Sequence, residues 1–340
     1  MIKKIEVVKE ILSKLNKVPI VDNESAFAPT NIALCKYWGK RNSEINLPVT
    51  SSLSISLGDQ GATTTVSEIA GQEQIEFNGQ KIDVNSPFAV RLTAFLDLFR
   101  PTPATRYQIK TEMNIPVAAG LASSACGFAA LTLALDRLYG WNLPPEKLSI
   151  LARLGSGSAA RSIWHGFVEW QAGKAENGMD SHGLLLPIAW PELRVGLHLL
   201  DSRQKSISSR EAMKRTVLTS VLYSAWPQQV QNDMEAIKQA LHEQDFMHLG
   251  QVAEANALAM HATMHSAWPP VMYSLPETVA AMHKVWQLRS EGLAVFFTQD
   301  AGPNLKLLFL ASNQQAVTSA FPNLKICQPF KDMSGIADGK

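Results

Sequence analysis

The sequence predicts an α+β fold in two units, and three observations carry that prediction. Its 340 residues are long enough to bury two hydrophobic cores. Runs of strand character with turn punctuation fill residues 26 to about 112, and helical periodicity takes over near 121. After about residue 203 the chain turns helix-rich and closes on two short apolar runs. The organisation expected is an amphipathic extension over 1–25, a mixed α/β unit over 26–203 and a helix-rich unit over 204–335.

The elements follow from spacing. Ile5, Val8, Leu12 and Leu15 recur at helical intervals with lysines opposite, which predicts a short amphipathic helix packed on its own unit. "SLSISL", "TTTVSEI", "QIEF" and "TRYQIKTEM" read as strands, interrupted by one helix over "PFAVRLTAFLDLFR". Phe128, Leu131, Leu135 and Leu138 share one face of the next helix, Gly140 stops it, and "PPEKLSILARL" starts another. In the second unit 210–225, 227–244, 246–265 and 276–290 read as helices, the last opening on Pro276 with Val279, Met282 and Trp286 inward. "LAVFFTQ" and "KLLFLA" then supply a small sheet around "DAGPN".

Composition excludes several classes of partner. Lys and Arg number 31 against 30 Asp and Glu, so no global field draws the chain to nucleic acid or an anionic membrane, and any attraction for anions is local. Cys35, Cys126 and Cys327 are odd in number and widely spaced, which argues against a disulfide framework or structural zinc and fits a reducing cytoplasm. Lysines break the apolar positions of the first 20 residues, unlike a signal peptide, and no run reaches membrane-spanning length.

Local chemistry concentrates in four segments. "PVAAGLASSACG" (116–127) sets a glycine turn ahead of a helix, where unpaired amides and small side chains make a seat for phosphate. It is neither a Walker A loop nor a G-x-G-x-x-G fingerprint, and tight helix-on-sheet packing would use the same residues. "APTNIALCKYWGKRN" gathers Lys36, Lys40 and Arg41 beside Tyr37 and Trp38. "GSGSAARS" places Arg161 behind Gly-Ser turns, suited to two-pronged binding of a carboxylate or phosphate. "TQDAGPN" ends an apolar strand on Asp300, where a buried carboxylate needs a partner or a task. His261 and His265 stand four apart without the Glu of a zinc helix and read as interior histidines.

Seven segments in order across about residues 26–310, "NIALCKYWGKR", "LPVTSSLSISL", "PVAAGLASSACG", "GSGSAARSIWHGFVEW", "SSREAM", "LAMHATM" and "TQDAGPN", resemble the diphosphomevalonate decarboxylase family. That family lies within the galactokinase, homoserine kinase, mevalonate kinase and phosphomevalonate kinase superfamily. The resemblance implies a mixed α/β N-terminal domain, a helix-rich ferredoxin-like C-terminal domain and an active site in the cleft between them. It implies ATP with Mg2+ as co-substrate, and conversion of mevalonate 5-diphosphate to isopentenyl diphosphate, ADP, phosphate and carbon dioxide. By the same resemblance Asp300 meets the 3-hydroxyl, Lys36 steadies Asp300 and Arg161 binds the carboxylate. Tyr37, Lys40, Ser156, Ser158, Ser209 and Arg210 take the diphosphate, and the 119–124 turn of Ala119, Gly120, Leu121, Ala122, Ser123 and Ser124 takes the ATP phosphates.

Cys126 departs from the family's alanine, and the first 20 or so residues precede the usual family start. The nearest rivals are a relative that only phosphorylates the 3-hydroxyl and one that decarboxylates the monophosphate. From another class comes a catalytically silent nucleotide-binding regulator. The intact set of Asp300, Lys36 and Arg161 favours full decarboxylation. Partners expected are small molecules, without nucleic acid or membrane, and a homodimer stays open.

Overall fold

A computed structural model describes residues 2–115, 123–201, 203 and 206–331. Helix α1 (Lys4–Leu12) is followed by β1 (Asn23–Cys35), β2 (Lys40–Asn42), β3 (Leu47–Pro48), β4 (Ser52–Ile69), β5 (Gln74–Phe77) and β6 (Gln80–Lys81). Then come α2 (Pro87–Leu96), β7 (Arg106–Met113), α3 (Ser123–Tyr139), α4 (Pro145–Gly155), β8 (Phe167–Trp170) and β9 (Gly183–Leu185). These strands form a seven-stranded sheet in the order β6-β5-β7-β4-β8-β9, with β1 also on β4, while β2 and β3 pair separately.

Strand β4 is the spine of this sheet. "SLSISL" and "TTTVSEI" were expected as separate runs; they are two halves of one 18-residue strand. Its first half pairs with β8 and its second with β7, while β1 runs antiparallel along both. The "GDQGA" between them bends rather than turns, at the register shift between Pro29 and Asn31 of β1. A side chain at Gly61 would lie 2.2 Å from the Ala28 carbonyl oxygen, so glycine lets the two strands stay in contact through the bend.

Helix α3 lays the expected face on the sheet, with Phe128, Leu131, Leu135 and Leu138 all buried. Helix α1 docks through Val7, Val8 and Leu12. Behind it Trp141 Nε1 donates to the Asn16 carbonyl (2.8 Å) and Ile20 N to that of Leu138 (2.8 Å), tying the extension to the end of α3.

The second sheet has the order β11-β12-β10-β13, built from β10 (Leu193–His198), β11 (Val295–Gln299), β12 (Leu305–Leu310) and β13 (Lys325–Cys327). Strand β10 precedes the boundary expected at 203–204 and is hydrogen-bonded into this sheet. Between lie α5 (Ser209–Thr219), α6 (Trp226–Glu243), α7 (Phe246–His265) and α8 (Pro276–Ser290), with α9 (Gln314–Ala320) later. Helix α5 stops six residues short of the expected 225. Ser220 turns extended there, its hydroxyl pairing with that of Ser266 (2.5 Å), and a 3-10 turn over Val221–Ala225 follows.

The expected inward face of α8 is also rotated. Met282 is buried as expected, but Val279 is 44% exposed, and Thr278, Ala281 and Val285 complete the inward face. The cause is polar anchoring: Thr278 Oγ1 donates to the Pro303 carbonyl (2.8 Å), and half-buried Trp286 donates to Glu254 (2.7 Å).

Helix α7 crosses β11 at Gly250, where an added Cβ would lie 2.1 Å from the Phe296 ring. In an open helix Gly→Ala gains about 1 kcal/mol from propensity. Here overpacking of a buried ring costs about 1–3 kcal/mol, so Gly250→Ala should lower the denaturant midpoint despite the better helix former. An unchanged or higher midpoint would contradict the packing.

Candidate active site

The last residues of β1 aim the chain at the second sheet. Lys36 follows Cys35 directly, and its amide donates to Asn256 Oδ1 on α7 (2.8 Å). Asn256 in turn donates to Asp233 on α6 (2.7 Å). With its backbone so fixed, the buried Lys36 ammonium donates to the Ala33 carbonyl (2.7 Å) and to Asp300 Oδ1 (2.7 Å). Asp300 stands just past β11, on the turn into β12.

The other carboxylate oxygen, Oδ2, meets Lys306 Nζ at 3.2 Å. Two ammonium groups therefore grip one carboxylate. Burial opposes its ionisation, but Lys36 and then Lys306 outweigh that and hold its pKa well below the usual carboxylate range. Lys36 itself is lowered, by burial first, against the pull of Asp300. Buried His261 of α7 donates Nε2 to the Asp300 carbonyl (3.2 Å).

Arg161 reaches the same cleft from the 3-10 turn Gly157–Arg161. Its Nη1 donates to Ser52 Oγ (2.5 Å), its Nε to Asn31 Oδ1 (3.3 Å), and its guanidinium stands 5.9 Å from the Trp170 ring. Burial lowers its pKa to about 10, still far above neutrality. Tyr37 packs edge-on to Trp170, with ring centroids 4.7 Å apart, and its buried hydroxyl has no partner among the described residues. Lys40 donates to Asn46 Oδ1 (2.6 Å), and its pKa is drawn down to about 8, by burial first and then by Arg210, Arg91 and Lys4.

These groups line one cleft of about 470 Å³. Lys36, Tyr37, Lys40, Ser124, Ser156, Ser158, Arg161, Ser209, Arg210 and Asp300 all border it, so the sequence-predicted residues that are described there converge. The hydroxyls of Ser124, Ser156 and Ser158 run in a row, at 3.1 and 3.3 Å. Ala119, Gly120, Leu121 and Ala122 lie outside the described residues, and Ser123 is described only as the first residue of α3.

Sequence reasoning missed three contributors. Arg91, whose Nη2 donates to the Gly155 carbonyl (2.8 Å), borders the cleft from α2. Lys306 hid in the apolar run "LKLLFL", although a lysine inside such a run is itself a signal. Lys4 brings charge from the N-terminal extension into the field of Arg91 and Arg210. Cys35 is core: burial pushes its thiol up to about 12, the opposite of an activated nucleophile.

A cleft with five basic side chains, Lys36, Lys40, Arg91, Arg161 and Arg210, around Asp300 as the one carboxylate among its described residues suits a polyanion. Comparison with known proteins gives that shape a family. A model described as the diphosphomevalonate decarboxylase-like N-terminal domain matches residues 28–183, and one described as the mevalonate 5-diphosphate decarboxylase C-terminal domain matches 196–336. The chain belongs to the diphosphomevalonate decarboxylase family. Among family members, the diphosphomevalonate decarboxylase of Aspergillus fumigatus is 36% identical over 314 residues, covering 85% of this chain and 77% of its own. A solved structure described as a complex with MVAPP, AMPPCP and magnesium is 38% identical with a TM-score of 0.84, over 90% of this chain and 96% of that one. The mevalonate diphosphate decarboxylase of Staphylococcus aureus gives 32% and 0.85, over 90% and 95%.

His261 yields a stability test. Burial lowers its pKa to about 3, followed by His265 and Lys36, so between about pH 6.5 and 3 the unfolded chain binds a proton the folded chain refuses. Stability then falls as pH falls through that window, by up to about 1.4 kcal/mol per pH unit for one such group. His261→Gln should make the pH dependence of the unfolding free energy shallower there; an identical slope would contradict the assignment.

Proposed function

We infer that this chain catalyses the ATP-dependent decarboxylation of mevalonate 5-diphosphate to isopentenyl diphosphate, with release of ADP, phosphate and carbon dioxide. Family membership and the shared cleft support that reading. The observation that carries the chemistry is the Asp300 carboxylate, held by Lys36 and Lys306 and bordering the same cleft as Arg161.

The reaction first moves the γ-phosphoryl of ATP to the 3-hydroxyl: an oxygen–phosphorus bond forms there, the bond to ADP breaks, and the hydroxyl proton passes by way of Asp300 to solvent. The carbon–oxygen bond at carbon 3 then breaks with its electron pair leaving on phosphate. The pair from the bond to the carboxylate becomes the new double bond, and carbon dioxide is released. In this scheme Asp300 accepts the hydroxyl hydrogen and aims the oxygen, as a group within hydrogen-bond reach must. Lys36 fixes Asp300 and balances charge as phosphoryl moves. Arg161 holds the substrate carboxylate in line for cleavage.

Tyr37, Lys40, Ser156, Ser158, Ser209 and Arg210 would receive the diphosphate, and the turn 119–124 the ATP phosphates. The partnerless Tyr37 hydroxyl beside the cleft supports such a role, because a buried hydroxyl is costly until a ligand pairs it. Among the described residues no group of three or more His, Cys, Asp or Glu side chains is placed to hold a metal. That fits Mg2+, which keeps water and phosphate oxygens as most of its ligands, so it would be held by the nucleotide with Ser124 as an available hydroxyl. The ion supplies neutralisation of phosphate charge. No helix among the described residues is long and apolar enough to cross a membrane, and three buried free cysteines support a reducing cytoplasm.

Two substitutions test the roles. Asp300→Asn should lower kcat by about 10²–10⁴ with the dissociation constants of nucleotide and substrate nearly unchanged. Arg161→Met should slow carbon dioxide release by about 10²–10³ while nucleotide affinity holds. Assaying ADP and carbon dioxide together, with mono- and diphosphate substrates side by side, decides between decarboxylase, 3-kinase and monophosphate enzyme; ADP without carbon dioxide would reject the reading.

A further inference from the structure

The second ammonium on Asp300 has no counterpart among the roles above. Lys306 is the second residue of β12, opposite Thr298 of β11, in a strand whose other residues are all apolar. It is 1% exposed and does not border the cleft, so it acts on bound ligands only through another group. Its Nζ stands 3.2 Å from Asp300 Oδ2 and donates to the Asn304 carbonyl (3.3 Å).

Stability gives poor reason for a lysine here. Burying an ammonium costs several kcal/mol, and replacing a buried ion pair by apolar side chains is often neutral or stabilising. A Leu or Met at 306 would continue the strand's own pattern. What the lysine adds is geometry: Lys36 holds Oδ1 alone, and a carboxylate tethered at one oxygen can still rotate about its last torsion. A second ammonium on Oδ2 fixes its plane, and each oxygen keeps a lone pair for a hydroxyl.

We propose that Lys306 is a positioning residue for the reaction, locking the plane of the Asp300 carboxylate so that one oxygen stays aimed into the cleft. The inference rests on the reading of Asp300 as the group that meets the 3-hydroxyl. Four charged or titratable groups face Asp300: Lys36 after β1, Lys306 on β12, Arg161 from the 3-10 turn, and His261 on α7. Only Lys306 among them both touches the carboxylate and stands away from the cleft.

The test compares Lys306→Met and Lys306→Arg with the parent enzyme. Steady-state kinetics across pH give kcat and KM for both substrates. Carboxyl carbon resonances of aspartate-labelled, ligand-free protein, assigned with Asp300→Asn, give the Asp300 titration directly. Lys306→Met should lower kcat by about 10-fold or more with both KM values within about threefold, since positioning acts after binding. Its Asp300 titration and the acid limb of kcat/KM should both move up by about 1–3 pH units, the effect of losing an opposite charge at this range. Lys306→Arg, which keeps the charge, should recover most of that shift. Should the Met variant not fold, Lys306→Gln serves for the same comparison.

An unshifted Asp300 titration with parental kcat would overturn the proposal, as would equal losses in kcat and substrate affinity with no change in pH profile. A parent enzyme that released no carbon dioxide would reject the function instead, while the carboxyl titration would still test the hold of Lys306 on Asp300.

Discussion

The ion pair between Lys36 and Asp300 joins two parts of the chain 264 residues apart, one at the end of strand β1 of the first sheet and one on a turn of the second. Everything else in the cleft is arranged around it. Such a pair contributes little net stability, since desolvation nearly offsets attraction, yet losing one partner strands a buried charge. It therefore acts as a condition on assembly: the two sheets fit together when the acid and the base meet. The backbone honours the same condition through Asn256, which ties Lys36 to α7 and, by Asp233, to α6. The same hydrogen bonds thus join the helical layer to the backbone that carries the lysine.

Charge in the cleft is unbalanced by design of the fold. Arg91, Arg161, Arg210, Lys36 and Lys40 converge from α2, the 3-10 turn, the start of α5, the end of β1 and the start of β2. Their mutual repulsion is visible in Lys40, drawn down to about 8 partly by Arg210 and Arg91. A polyanion entering this field meets donors already in place, and its charge relieves the repulsion that the folded chain sustains without it. Lys4 extends the field from α1, a helix lying ahead of the segment that the family model matches.

Much of this was legible in the sequence because the informative residues sit at discontinuities. Asp300 ends an apolar run, Arg161 interrupts a Gly-Ser turn and Lys36 stands beside two aromatics, so each is chemically out of place and invites a role. Helix α3 was legible for a different reason, its apolar spacing being unbroken. Arg91 was not, because a single arginine on an amphipathic helix looks the same whether it faces water or a cleft. The fusion of two expected strands into β4 was hidden by glycines that usually mark turns and here relieve a close approach. Of the inward face expected for α8, Met282 holds and Val279 does not, because hydrogen bonds at Thr278 and Trp286 also bear on its rotation.

A carboxylate clamped by two ammonium groups is a weak base, and that bears on how the proposed reaction proceeds. Asp300 stays ionised well below neutral pH, so it is always an acceptor and is poorly suited to keep a proton. Phosphoryl transfer tolerates this, because its loose transition state develops little demand for a strong nucleophile and rewards alignment and charge neutralisation instead. The fold spends its buried charges accordingly. Lys36 and Lys306 hold the carboxylate at the expense of its basicity, and in the proposed reaction Arg161 would fix the opposite end of the substrate. In the proposed reaction, bond breaking at carbon 3 is then driven by the quality of phosphate as a leaving group, and the protein's task would be to hold the hydroxyl oxygen and the carboxylate in the one relative orientation that lets the electron pair pass between them.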